Sequence, residues 1–402
     1  MPQDALAADP RYGRTAPRRG LTLSWRDPTM RSIVWQIVII GLVGFVVWWL
    51  VANTMRNLEV RKIATGFGFL SREAGLPIGE SMIPYSPADT YARALLVGVL
   101  NTLRVSLIGI VLATVLGTLI GIARLSHNWL LARLAGIYVE LLRDLPLLLQ
   151  LLFWYALMQG LPGPRQALNP FGSVFLSNRG IKFPWLVWEE AHTAALLALA
   201  AGIAGTVLLA RRFTARQMAT GQRPRLWPWG LALMVGLPAA VWAAMGAPFT
   251  IDAPELRGFN FRGGGTITPE FAALLLGLVL YTAAFIAEIV RAGILAVHTG
   301  QWEAAGALGL SRGEQLRLII LPQALRVIIP PMTSQYLNIT KNSSLAVAIG
   351  YQDIVSIANT TLNQTGQAIE GIAIIMAVYL TISLSISVFM NWYNARIALK
   401  ER

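Results

Sequence analysis

The sequence predicts an all-α polytopic membrane protein with about eight transmembrane helices, and three observations carry that expectation. Of the 402 residues, 55% are apolar and 13% are charged, about half the roughly 25% charge of an average soluble domain. Uncharged runs of about 20 residues, the length that crosses a hydrocarbon core, recur along the chain. The 33 Lys and Arg against 20 Asp and Glu give a net charge of +13, and the cations sit between the apolar runs. That is the pattern of basic loops at a membrane surface, with lipid rather than nucleic acid as the expected partner.

The spans follow in order. Residues 1–32 are a basic tail, predicted cytoplasmic. Ile33 to Ala52 is too long, and too far inside that tail, to be the core of a cleavable signal peptide, and reads as the first span. Ala94 to Ala123, interrupted only by Arg104, is the second. Leu145 to Pro164, continuing a helix from near Leu134, is the third. Ala191 to Ala210 and Leu226 to Ile251 form a hairpin around Arg211, Arg212, Arg216, Arg223 and Arg225. Phe271 to Ala287, Val327 to Thr340 with its continuation past Lys341, and Gly371 to Ala395 complete the set.

Cytoplasmic segments carry the excess of Lys and Arg. With eight spans, the side holding both termini has twenty and the opposite side ten, so both termini are expected inside. Trp35, Trp48, Trp49, Trp185, Trp188, Trp227, Trp229 and Trp392 fall near span ends, where they anchor.

Catalytic chemistry finds little support. There is no cysteine, and His127, His192 and His298 lie far apart, so no thiolate nucleophile, catalytic set, cofactor site or metal site is assigned. Gly263-Gly264-Gly265 lacks the Lys-Ser or Lys-Thr of a phosphate loop and reads as a turn. The spacing Gly109, Ala113, Gly117, Gly121 suits tight helix packing.

The segment 298–326 is different. Gln301 to Leu308 reads as a short helix stopped by Gly309. Ser311 and Glu314 then make a Ser-x-x-Glu capping box. A helix, a glycine turn and a second helix give a compact shape that a partner can grip. Ala304 and Ala305 allow close approach, and Glu303 can accept hydrogen bonds across the contact.

Glu303-Ala304-Ala305, Gly309, Ile319 and Leu321-Pro322, at their spacings, resemble the EAA loop of the membrane subunits of binding-protein-dependent ABC importers. The run from Gly300-Gln301 to Leu321-Pro322-Gln323-Ala324 is similar to the polar amino acid (histidine/glutamine) permease subfamily. So are Tyr138-Val139-Glu140-Leu141-Leu142-Arg143 with Pro146-Leu147-Leu148-x-Gln150, Ala287-Glu288-Ile289-Val290-Arg291, and Lys341-Asn342-Ser343-Ser344-Leu345. The departures are Asp144-Leu145 between the arginine and Pro146, and His298 or Thr299 where proline is common.

The resemblance implies a type I ABC importer transmembrane core in two parts, 94–164 and 256–402. An extra first helix and its loop, 33–93, precede that core, and a two-helix insertion, 165–255, interrupts it. The insertion is expected to flank the transport path against a partner or lipid. Chains enlarged in this way look most like the larger permease of a bacterial general L-amino acid transport system.

The same resemblance implies an ATPase dimer gripping Gly300, Gln301, Glu303, Ala304, Ala305, Gly309, Leu321 and Pro322. It also implies a periplasmic amino-acid-binding protein and a second permease, either a shorter homologue or another copy. ATP and Mg would be held by the ATPase, since no Gly-x-x-x-x-Gly-Lys-Ser/Thr occurs here. The site of action would be the bacterial inner membrane.

Charges at membrane depth cost roughly 2.5–3.5 kcal/mol on insertion scales and face partners or water. Arg104, the cluster Glu140, Arg143 and Asp144, the pair Glu288 and Arg291, and Lys341 with Asn342, Ser343 and Ser344 are candidates for the translocation path or for a structural charge network. Glu140 with Arg143 and Glu288 with Arg291 are i,i+3 pairs able to neutralise each other. An ion-coupled secondary amino acid transporter is the alternative. It predicts an internal repeat with broken helices in both halves, and no repeat is evident.

Overall fold

The computed structural model describes residues 28–60, 65–222 and 224–397, so most of the basic tail lies outside them. The chain divides into two units. One runs through Gly66 and takes in Thr365–Gln367. Its helix α1 (Pro28–Val60) exposes apolar side chains along its length, as a helix surrounded by lipid does, and is long enough to span.

The second unit holds the rest. It begins with α2 (Tyr91–Ala123), α3 (Trp129–Asp144) and α4 (Leu147–Gln159). Strands β1 (Phe175–Ser177), β2 (Gly180–Phe183) and β3 (Trp185–Leu186) lead into α5 (Glu190–Thr220). Next come α6 (Trp227–Leu231) and α7 (Leu237–Ala244), joined by a π turn at Ala232–Gly236. Strands β4 (Ile251–Asp252), β5 (Glu255–Arg257), β6 (Asn260–Arg262) and β7 (Gly265–Ile267) return to α8 (Pro269–Leu295). Helices α9 (Thr299–Ala307), α10 (Arg312–Glu314), α11 (Leu321–Asn342), α12 (Ile354–Thr365) and α13 (Ala368–Ile397) complete it. The strands are an addition to the all-helical expectation. Among the described residues they lie in the connections flanking α5–α7, where Gly263 and Gly264 take positive φ in a turn.

The α2 glycine stripe sets the centre of the bundle. Ala113 is fully buried. A Cβ on Gly117 would stand 2.6 Å from Ile286 Cβ, and one on Gly121 2.7 Å from the Ala287 carbonyl, so α2 meets α8 at a distance that only hydrogen permits. The contacts advance in step. Arg104 stacks on Phe271, Gly109 approaches Leu275, Gly117 meets Ile286 and Gly121 meets Val290. The two helices are therefore parallel, which requires an odd number of membrane crossings between them. Helix α5 and the α6–α7 helix are each long and apolar enough for one crossing. The third is the α3–α4 pair, and the total among the described residues is eight.

That third span is not the continuous helix the sequence suggested. It bends by 105° between α3 and α4. Pro146 has no N–H and disfavours helical backbone at the residue before it, and Leu145 is extended at φ −91°, ψ 131°. Gln150 repairs the break. Its Nε2 donates to the carbonyls of Leu142 and Leu145, both at 3.0 Å. Past the bend α4 lies on α8, where a Cβ on Gly277 would touch Leu151 Cδ2 at 2.5 Å.

The segment between β2 and β7 closes on itself. β2 pairs antiparallel with β7, and β3 with β4, so entry and exit strands form one neck. Beyond it, α5 packs along α6 and α7. Excising residues 188–249 and joining Val187 to Thr250 by an Asn-Gly turn should therefore leave the remaining six spans folded and in unchanged orientation. Size-exclusion chromatography in detergent and thiol labelling on both sides of the deletion check this, and aggregation of the shortened chain would place the hairpin in the core.

Candidate functional site

The 298–326 loop is a built element. His298 Nδ1 accepts from the Gly300 N–H at 3.1 Å and opens α9. The helix ends as Gly309 N–H donates to the Gly306 carbonyl at 2.9 Å and Leu310 N–H to the Ala305 carbonyl at 3.3 Å. Gly309 has φ +73°, the left-handed conformation this stop requires. Glu314 Oε2 accepts from both the Ser311 N–H at 2.9 Å and its hydroxyl at 2.7 Å, and the capping box is complete. A π turn over Gln315–Ile320 follows, ahead of Pro322, which has no N–H to continue an α-helical ladder.

Several bonds fix this element to the bundle. Trp302 packs against the cluster containing Ile320, Ala324 and Ile328. Gln323 Nε2 donates to Gln301 Oε1 at 3.3 Å and to the Ile319 carbonyl at 3.0 Å. Arg312 Nη1 lies 3.1 Å from His127 Nε2, in the turn after α2. Gln301, Glu303, Ala304, Gly309 and Leu321 are exposed, and Gly300 and Pro322 are half-buried. Leu308 is 78% exposed at the tip. Ala305 departs from the expectation that it faces a partner: it is 2% exposed, buried by its own chain, and its methyl serves the fold of the loop.

The charged residues separate into four groups. Glu288 is clamped by Arg124 from the end of α2 and by Arg291 one turn on, whose Nη2 lies 2.6 Å from Oε1. This triad ties α2 to α8 near the 298–326 loop. Sequence spacing found the Glu288–Arg291 half and missed Arg124, because a cross-helix partner leaves no periodic trace. Glu140 and Arg143 do not pair, contrary to the i,i+3 expectation, and no salt bridge among the described residues involves them or Asp144. All three are exposed at the α3–α4 elbow, and Arg143 lies 5.1 Å over the Phe285 ring. Lys341 is exposed, Asn342 half-buried and Ser343 buried where α11 tightens into a 3₁₀ turn over Ser343–Ile349. The Ser343 and Ser344 hydroxyls donate to the Thr340 and Lys341 carbonyls, both at 2.7 Å.

In the N-terminal half of α2, Arg104 Nη1 pairs with Glu80 Oε2 at 2.9 Å. Glu80 lies in the loop before α2, and nothing in the sequence pattern singled it out. Nor did the sequence mark Asp353, fully buried, whose Oδ1 accepts from the Ser356 N–H at 2.9 Å and caps α12. Burial pushes its carboxyl up to about 7.

A family model described as a binding-protein-dependent transport system inner membrane component matches residues 230–399. The putative amino-acid ABC transporter permease protein YhdX of Escherichia coli is 54% identical, over 95% of this chain and 98% of its own. The general L-amino acid transport system permease protein AapQ of Rhizobium johnstonii is 51% identical, over 96% of this chain and 98% of its own. The glutamate/glutamine/aspartate/asparagine transport system permease protein BztB of Rhodobacter capsulatus is 44% identical, over 99% of this chain and 100% of its own. These matches run along nearly the whole chain, α1 and the α5–α7 hairpin included. Eight spans, an exposed capped loop at one end and relatives matched along nearly the whole length lead to one assignment: the chain belongs to the amino-acid ABC transporter permeases, multi-span membrane components of binding-protein-dependent transport systems.

Proposed function

We propose that this chain forms one half of the translocation path of an ATP-driven importer of L-amino acids in the bacterial inner membrane. The observation that carries the reading is the exposed knob of Glu303, Ala304 and Leu308, held by a glycine stop and a capping box. An ATPase dimer, holding ATP and Mg, grips it. Its closure is transmitted through α11 and through the Arg124–Glu288–Arg291 triad, which stands beside the knob. The relatives' names support amino acids as cargo, delivered by a periplasmic binding protein. The unpaired Glu140, Arg143 and Asp144, exposed on the single chain, favour a second permease, a shorter homologue or another copy, whose surface meets the α3–α4 elbow. The ion-coupled alternative is set aside, because these relatives are ABC permeases.

Uptake of radiolabelled L-amino acids by proteoliposomes carrying the full assembly tests this reading. Uptake should require internal ATP and external binding protein. Uptake that persists without ATP and follows an imposed proton or sodium gradient would overturn it. Topology gives a separate check, because the natural chain has no cysteine to label. Gly264→Cys should react with an impermeant maleimide from the periplasm and Gly313→Cys only from the cytoplasm. Reaction of both from one side would contradict eight spans with both termini inside.

A further inference from the structure

Arg104 lies among groups suited to the backbone of a free amino acid. Its Nη1 donates to Glu80 Oε2 at 2.9 Å, and the Thr268 hydroxyl donates to the other carboxylate oxygen. The guanidinium lies 4.2 Å over the Phe271 ring. Thr268 caps the 27-residue helix α8, whose positive end favours an anion. One turn before Arg104, Asn101 is fully buried. Its Nδ2 donates to the carbonyls of Glu80 at 3.0 Å and Gln352 at 2.9 Å. Both partners are acceptors, which fixes the orientation of the amide. Asn101 Oδ1 is therefore a buried acceptor with no hydrogen-bond partner.

The segment that supplies Glu80 is anchored at its base, where Phe69, Ala74 and Leu76 are buried and the Ala74 N–H donates to the Asp89 carbonyl at 2.8 Å, while residues 79–83 are exposed or half-buried. Residues 74–86 contain no helix or strand. They are tied down where Gly79 N–H donates to Gln352 Oε1 at 2.6 Å and Gln352 Nε2 donates to the Pro77 carbonyl at 2.9 Å. A carboxylate with both oxygens engaged, next to an orphan acceptor on the same turn of α2, matches what an α-amino acid offers: a carboxylate and, two bonds away, an ammonium able to donate.

We propose that Arg104, Thr268 and Asn101 form a binding site for the α-carboxylate and α-ammonium of a free amino acid, and that Glu80 is a tethered carboxylate filling it until the stretch 79–83 lifts. The site rests on the amino acid reading above and names the groups of the cargo it takes. Arg104 and Thr268 hold the carboxylate, and Asn101 Oδ1 receives the ammonium. Binding through the backbone groups alone is indifferent to the side chain of the amino acid.

The test uses the complete importer and a radiolabelled mixture of the protein L-amino acids. Absence of uptake by the wild type would overturn the amino acid reading and this site with it, whereas the outcomes below bear on the site alone. Arg104→Gln should lower uptake about tenfold or more at equal membrane level, the loss of a charge-assisted bond to a carboxylate. The charge-swapped E80R/R104E restores the ion pair, so its thermal stability should return to wild type while uptake stays at the R104Q level. Recovery of uptake in the swap, or wild-type uptake in R104Q, would leave the pair as a structural strap and end the proposal.

A second measurement is independent of how well the swapped chain accumulates. In E80Q/T268C, the introduced thiol should react with an impermeant maleimide, and free L-amino acids should slow that reaction while their α-carboxamides do not. Equal effects of the two, including none, overturn the site.

Discussion

Gly117→Leu should remove the folded protein from the membrane. The Cβ of any substituent would start 2.6 Å from Ile286 Cβ and 2.8 Å from the Ala283 carbonyl. Neither neighbour can turn away: one is a branched side chain at its root and the other is backbone inside α8. Overpacking of an interior costs about 1–3 kcal/mol when side chains can adjust, and here the helices themselves must separate. Separation would be felt at both ends of the contact, because the same helix pair carries the Arg104–Phe271 stack and the Arg124–Glu288 pair. Gly109→Ala is the internal comparison, since its Cβ would meet Ile339 Cγ2 at an ordinary 3.4 Å. Gly136→Leu is the open-space control, with nothing within 4 Å. Fluorescence-detected size-exclusion chromatography of the three variants should give a monodisperse peak for Gly109→Ala and Gly136→Leu and none for Gly117→Leu. Equal peaks would mean that the α2–α8 contact is looser than its geometry indicates.

That contact also illustrates what the sequence makes legible. Spacing alone exposed the small-residue stripe, since residues four apart share a helix face, and uncharged length exposed the spans. Local chemistry exposed the loop, because a glycine stop and a capping box are each encoded within a few residues. Groups joined by tertiary contact were hidden. Glu80 is 24 residues from Arg104, and Arg124 is 164 from Glu288, so neither pairing leaves a periodic trace. The third span misled for a different reason. Hydropathy is blind to direction, and Leu145-Pro146 supplies a turn of the backbone without any loss of apolar character. Ala305 and Ala304 were indistinguishable by residue type, and only the packing of α9 turns one inward and leaves the other out.

That difference decides which substitutions report on coupling. Ala305→Asp would bury a carboxylate inside the loop and unfold the knob, whatever the knob binds. Ala304→Asp and Gly309→Asp act at exposed positions. No atom stands within 4 Å of where a Gly309 Cβ would be, so the fold itself has room for the side chain. The backbone cost is about 1 kcal/mol or more at positive φ, spread over a loop that has its own capping bonds. Gly309→Asn separates strain from charge, since asparagine tolerates the left-handed conformation and is neutral. If an ATPase surface closes over Leu308 and Gly309, an unpaired carboxylate there costs roughly 2–5 kcal/mol of association, a drop in affinity of at least about 30-fold. The expected result is that Gly309→Asp and Ala304→Asp reach the membrane at wild-type level but fail to retain the ATPase on purification and lose uptake. Gly309→Asn should keep most of both. Loss in Asn and Asp alike would assign the effect to the backbone turn. Full retention and uptake in both Asp variants would mean that the ATPase contacts this permease elsewhere, and the 298–326 loop would then need another explanation for its exposed, capped knob.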